Sequence, residues 1–505
     1  MITNLHRRHF LASGFTVADL GGLAAIAPAG IRRALAAAPR QLIVERRTLD
    51  VKGRTASVFG IRQPDGISGL TLDPGERFQV AVSNNAGEET TLHWHGQTPP
   101  NVQDGVTETG SALIPAGGSQ SYDFTPRSGT HWMHSHHGLQ EQVLMAAPLV
   151  VRSADDLKLD AQEVVVLLHD FTFRDPAEVL AQVTGGEVMQ QGAMQQGGMQ
   201  HGGMPMSHQM MSGTHMGHGM PSMAPGMASG MTMDLNDIDY DAYLANDRTL
   251  DDPLVVRAGR NGRVRLRLIN GATSTAFWID LGAAKGMVLA VDGNPVRPVS
   301  ASRFPLAQGQ RLDLLIAMPA GGGVIPVLAQ REGDRARTGI VLATPDARVL
   351  RIADQAATAA GPIDLSLEHL LRAAAPLGLA AATPSILKQR ITLTGTMMPY
   401  AWSIDGRSWN DHRPLHVQQG QRVVLEMANR SMMAHPMHLH GHHFQVVGIN
   451  GKALNGAMRD TVLVPVGGAV TVAFTADNPG RWLLHCHNLL HMATGMMTEV
   501  TYQPA

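Results

Sequence analysis

Four short runs concentrate the chemistry-bearing side chains of this sequence. They are His93-Trp94-His95, His134-Ser135-His136, His435-Pro436-Met437-His438-Leu439-His440, and His485-Cys486-His487 with His491 and Met496 behind it. Together they supply ten histidines, one thiol and, at Met496, one thioether at spacings that suit copper. On an extended strand residues i and i+2 share a face about 6.6 Å apart along the chain, while i+1 points the opposite way. Each His-x-His pair therefore delivers two imidazoles to one side, and four pairs deliver eight. Imidazole is a good copper ligand, and eight around three ions leave coordination positions open to dioxygen. In His485-Cys486-His487 the same alternation sends the sulfur to the face opposite its histidine neighbours. Cys486, His491, Met496 and His435 from a separate strand make the two-histidine, one-thiolate, weak-thioether set of a blue copper site. A metal held by that sulfur would be joined through a few covalent bonds to the histidine cluster.

Such a constellation needs strands to hold it, and the strands are legible. Period-2 alternation recurs at Phe78, Val80 and Val82, at Val264, Leu266 and Leu268, and at Val423, Leu425 and Met427. Three of these runs end in asparagine, at Asn84, Asn270 and Asn429. Nine and eleven residues onward stand His93 and His95, then Ile279 and Leu281, then His438 and His440. The middle copy keeps the frame but has apolar residues in the ligand positions, so it reads as scaffold. A second half-repeat leads from Phe124 through Trp132 to His134-Ser135-His136, and from Phe474 through Trp482 to His485-Cys486-His487. Cys486 stands where the first copy has Ser135, so the third copy alone can build a thiolate site. His131, His137, His442 and His443 crowd these runs but break the period-2 frame or the repeat, and are set aside.

The 505 residues suit about three domains at roughly 150 residues each. The expected limits are 39–155 and 156–345, then a linker over 346–384 rich in Ala and Pro, then 385–505. Short strands with regular turn signals suggest Greek-key sandwiches. Charge is nearly balanced, 40 Lys plus Arg against 42 Asp plus Glu, which points away from nucleic acid as a partner. Arg7-Arg8, a small apolar stretch and the Ala-rich run to Ala38 predict a twin-arginine signal peptide over 1–38, with Asp19 a departure from the usual pattern. No other run reaches the ~18 apolar residues of a membrane span. The mature protein is therefore expected to be soluble and periplasmic. Cys486 is the sole cysteine, so the exported chain has no disulfide framework, and a metal would occupy the free thiol. Residues 187–233 hold 13 methionines and four histidines (His201, His208, His215, His218) among Gly, Gln and Ser. They read as a methionine-rich insertion in the second domain that cannot bury a core. Thioethers favour Cu(I), so this segment could gather copper.

These four motifs resemble the multicopper oxidases, the family of laccases and periplasmic copper-resistance oxidases, over nearly the whole mature chain. The resemblance implies an all-β fold of three cupredoxin-like Greek-key β-sandwich domains and four copper ions. His435, Cys486, His491 and Met496 would bind type 1 copper, and His93 and His438 type 2 copper. His95, His134 and His487 would hold one type 3 ion, and His136, His440 and His485 the other. Asp104 matches an aspartate that handles protons near type 2 copper in many relatives. Met492 stands where some copper-resistance members have glutamate. A thioether at Met496, rather than Leu or Phe, implies a lower type 1 potential and easily oxidised donors. The expected activity is oxidation of phenols, aromatic amines or Cu(I) by dioxygen, with Cys486 and Asp104 as catalytic residues and the chain acting as a monomer. The alternative is a copper-sequestering or copper-delivery protein acting through the methionine-rich segment.

Overall fold

The structure is a computed structural model that describes residues 38–185, 235–378 and 385–503. The expected signal peptide and the methionine-rich insertion lie outside the described residues. Six sheets form in sequence order as three pairs. In the first pair a four-stranded sheet of Arg54–Arg62, Arg40–Val51, Phe78–Asn85 and Ser119–Phe124 faces one of Leu70–Leu72, Ala146–Val151, Gly129–His134 and His93–His95. The middle pair has six and five strands and the last has seven and five. Each pair encloses its own apolar core. Leu42, Phe78, Val82 and Trp94 anchor the first, Phe277, Ile279 and Leu314 the second, and Trp402, Leu425 and Trp482 the third. In the first core Phe78 stacks on Phe124 at 4.4 Å and meets Trp94 edge-on at 4.8 Å.

The repeated asparagines have one local job. Asn84, Asn270 and Asn429 are all buried, and each uses its amide as donor and acceptor at once. Asn84 Nδ2 donates to Glu88 O (2.8 Å) and Ile114 O (2.9 Å) while Oδ1 accepts Ala86 N (3.0 Å). Asn270 does the same with Thr275 O, Leu306 O and Ala272 N, and Asn429 with Met433 O, Val464 O and Ser431 N. The side chain thus ends one strand and aims the loop toward the next ligand-position strand, which an acid or an alkyl group could not do. Asn429→Asp, which loses both donated bonds, should cost about 1–3 kcal/mol of stability in urea unfolding.

The stretch after 345 is more than a tether. Leu367 and Leu371, at the short helix Ser366–Leu370, join the middle core, while Ala360, Ile363 and Leu365 join the third. Among the described residues no helix is long and apolar enough to cross a membrane.

Candidate metal centre

Strand pairing sets the site. His93–His95 pairs with Gly129–His134 so that His93 faces His134, and His435–Leu439 pairs with Arg481–Cys486 so that His438 faces His485 and Met437 faces Cys486. Pleating then sorts the side chains. Trp94 turns into the first core, and its histidine neighbours turn out of it. In the third sandwich Met437, Leu439 and Cys486 turn inward, whereas His438, His440 and His485 gather on the other face.

The inward face makes a small sulfur pocket. Cys486 Sγ lies 3.6 Å from His435 Nδ1 and 3.6 Å from His491 Nδ1, and those two nitrogens are 3.1 Å apart. Met496 is buried beside them, its carbonyl accepting Cys486 N and its own N–H donating to His491 O. The outer nitrogens are held from behind, His435 Nε2 by Ser431 Oγ at 2.6 Å and His491 Nε2 by Asp237 at 3.1 Å. Asn488 caps the short helix that carries His491 and donates to the other oxygen of Asp237 at 2.7 Å. Tyr400 donates to Asp237 at 2.6 Å. Burial alone would raise the Asp237 pKa, but His491, Tyr400 and Asn488 outweigh it and hold the carboxyl below its ordinary range. Burial pushes the Cys486 thiol up, so a thiolate there requires a cation.

The outward face brings all eight His-x-His histidines together, each less than a tenth exposed. Donor atoms within 4.8 Å of one another occur in the trios His93-His95-His134, His93-His438-His440 and His136-His440-His485. The His487 ring lies 4.9 Å from that of His95 and 5.3 Å from that of His134. One nitrogen of each of six rings has no hydrogen-bond partner: Nε2 of His93, His134, His136, His438 and His487, and Nδ1 of His95. Nε2 of His440 and His485 approach each other at 3.0 Å. The opposite nitrogens of His93, His95, His134 and His438 are taken, as where His93 and His438 donate from Nδ1 to the carbonyls of Asp104 (3.0 Å) and Asp460 (2.9 Å). Buried polar atoms without partners cost about 1–3 kcal/mol each, and six converging on one spot fit a cation-binding centre. Burial lowers the pKa of seven of these rings, which keeps them neutral and able to bind metal.

Asp104 is fully buried, its Oδ2 2.9 Å from His440 Nδ1. Sequence reasoning missed four further residues that back the rings. Glu141 lies 2.9 Å from His134 Nδ1, and burial raises its pKa well above the usual range. Asp237, Arg311 and Asp460 are the others. Those three reach the site from distant segments, whereas Glu141 follows His136 by only five residues, and no spacing pattern announces any of the four. With Met492, Glu141 lines a cavity of about 10 Å³ bordered by His134, His136, His485 and His487. Of the histidines set aside, His442 is bonded to Tyr502 and His443 to Gly96 O and Asn294, while His131 is buried near Arg311.

Three family profiles, each described as multicopper oxidase, match residues 44–156, 162–338 and 382–505. The chain is 32% identical to the multicopper oxidase MmcO of Mycobacterium tuberculosis, over 98% of this chain and 96% of that protein. It is 26% identical to copper resistance protein A of Escherichia coli, over 99% of both. The structure of a laccase from Botrytis aclada superposes with a TM-score of 0.69 at 20% identity, covering 91% of this chain and 87% of that one.

Proposed function

This chain belongs to the multicopper oxidases, and from that premise we propose how its own residues divide the work of a copper-dependent oxidase. Its sheets are those of the cupredoxin-like fold. His435, Cys486, His491 and Met496 would hold type 1 copper, His93 and His438 type 2, and the two type 3 ions would take His95, His134 and His487, and His136, His440 and His485. Copper bound in these positions supplies one-electron uptake from the donor and four-electron reduction of dioxygen to water.

The observation that carries this reading is the strand Arg481–Cys486 itself. Its last residue reaches the sulfur pocket while the residue before reaches the eight-histidine face, so the pocket and the cluster share one backbone. The rings are pre-aimed by partners on their outer nitrogens, which sets which nitrogen each offers. Asp104 sits behind both His93 and His440, its Oδ1 3.3 Å from one Nδ1 and its Oδ2 2.9 Å from the other, where it would orient both rings.

For the donor, phenols, aromatic amines and Cu(I) are all proposed. The last is favoured by exposed thioethers, since Met432, three residues before His435, is 72% exposed and Met398, at the turn before Tyr400, is 89% exposed. The methionine-rich segment 187–233 would gather Cu(I) for that surface. The Arg7-Arg8 signal would place the mature protein in the periplasm. Copper sequestration through the segment alone is not favoured, because all three family profiles and the relative MmcO, matched over 98% of this chain, bear the name multicopper oxidase.

Deleting 187–233 tests the donor. Cu(I) oxidation should fall about tenfold, equivalent to about 1.4 kcal/mol of lost binding, with phenol oxidation kept or raised. Loss of bulk copper binding with both rates intact would instead support sequestration.

A further inference from the structure

The middle sandwich holds none of the candidate ligands, yet it presses a charge against their backs. Arg311, fully buried at the start of the strand Arg311–Ala317, grips Asp460 in a fork. Its Nη1 donates to Oδ1 at 2.7 Å and its Nη2 to Oδ2. Nε donates to Thr130 O (3.2 Å) and Nη1 also to Gly309 O (2.9 Å), so the guanidinium has one orientation available to it. Asp460 in turn stands between two rings. Its Oδ1 lies 3.2 Å from His95 Nε2, and its carbonyl accepts His438 Nδ1 at 2.9 Å. The far nitrogens of those rings are both among the unpartnered ones.

The approach is tight enough to require two glycines. A Cβ on Gly96 would lie 2.4 Å from Arg311 Nη2 and 2.9 Å from Asp460 Oδ2, and one on Gly309 would lie 2.8 Å from the His487 ring. Both have positive φ, +87° and +76°, which a side chain would also resist. Behind the fork, Arg311 N donates to Asp292 (2.9 Å), Asp292 meets Arg459 (3.2 Å), and Arg459 meets Glu368 of the connecting stretch (2.8 Å). A bidentate guanidinium–carboxylate pair fixes geometry as well as charge.

We propose that the Arg311–Asp460 fork is a positioning device by which the ligand-free middle sandwich sets His95 and His438, and hence retention of the type 3 and type 2 ions that these two rings would hold. This rests on the ligand assignment above. Second-shell partners of metal ligands typically govern metal affinity by about 10–100-fold. Two variants test it: Arg311→Lys, which keeps the charge but not the fork, and the double variant Arg311→Met with Asp460→Asn, which leaves no unpaired buried charge.

The readouts are copper per chain after dialysis against a weak chelator, the type 2 electron paramagnetic resonance signal, and the blue absorption of the Cys486 site. Both variants should lose the type 2 signal and fall from about four to about two copper ions per chain, as 10–100-fold weaker sites at His95 and His438 would, with the blue band unchanged. A type 2 signal that survives chelator as in the unaltered protein overturns the proposal. So does parallel loss of the blue band, which marks a general structural role. An unaltered protein with no blue band would instead overturn the ligand assignment beneath it.

Discussion

Copper-free protein should unfold on mild acidification, within about one to two pH units below 6.5, while the copper-loaded protein survives the same range. The cause is a set of twelve histidines whose pKa is lowered, chiefly by burial, seven of them in the cluster. His131 goes down to about 3. Each folded-state value lies below the ordinary 6.5, so the unfolded chain takes up protons that the folded one refuses. Their contribution is fully present above pH 6.5 and is lost as pH falls toward the folded-state values. At about 1.4 kcal/mol per pH unit for each such proton, twelve groups outweigh a total stability of ~5–15 kcal/mol. Burial raises three carboxyls, Glu141, Glu332 and Asp292, which act in the opposite sense but are outnumbered. Copper occupies the nitrogens that protons would take, so loading should move the transition down by about a pH unit or more. Circular dichroism against pH, with and without copper, checks this. Superimposed curves would show that the cluster nitrogens do not bind the metal.

Cys486→Ser should remove the blue absorption and lower oxidase turnover by more than the ~10–100-fold typical of second-shell changes, because here a ligand and the path beyond it are both lost. Serine fits the space, but its hard oxygen replaces the soft sulfur that the two histidines face at 3.6 Å. The outward rings do not touch residue 486 through its side chain, so the eight-histidine centre should keep its copper. Copper content should fall by about one ion per chain, with the type 2 signal retained. Retention of a tenth or more of the turnover would break the link between the sulfur pocket and the cluster.

Spacing was enough to foretell which side chains gather on each face because pleating is local. Alternation along Arg481–Cys486 obliges Cys486 and His485 to face opposite ways whatever surrounds them. The same holds for two of the three bonds described for each repeated asparagine, those to residues two and four or five further on, which lie within its own loop. The middle copy was equally plain, since Ile279 and Leu281 in the ligand positions do enter an apolar core. Legibility ended at the residues behind the rings. Glu141 comes from a short turn, Asp237 from the far side of the methionine-rich segment, and Asp460 from a loop before Thr461–Val464.

The role of the middle copy divides the two kinds of information. Its lack of histidine at the ligand positions, where Ile279 and Leu281 stand, was written in the chain, and scaffold was the natural reading. That Arg311 reaches Asp460 across 149 residues of sequence depends on how three sandwiches meet. Which side chains share a face follows from a period-2 backbone and needs no partner, whereas the aim and charge of each ring depend on long-range contacts. A buried arginine looks in sequence like any other until the fold supplies its carboxylate.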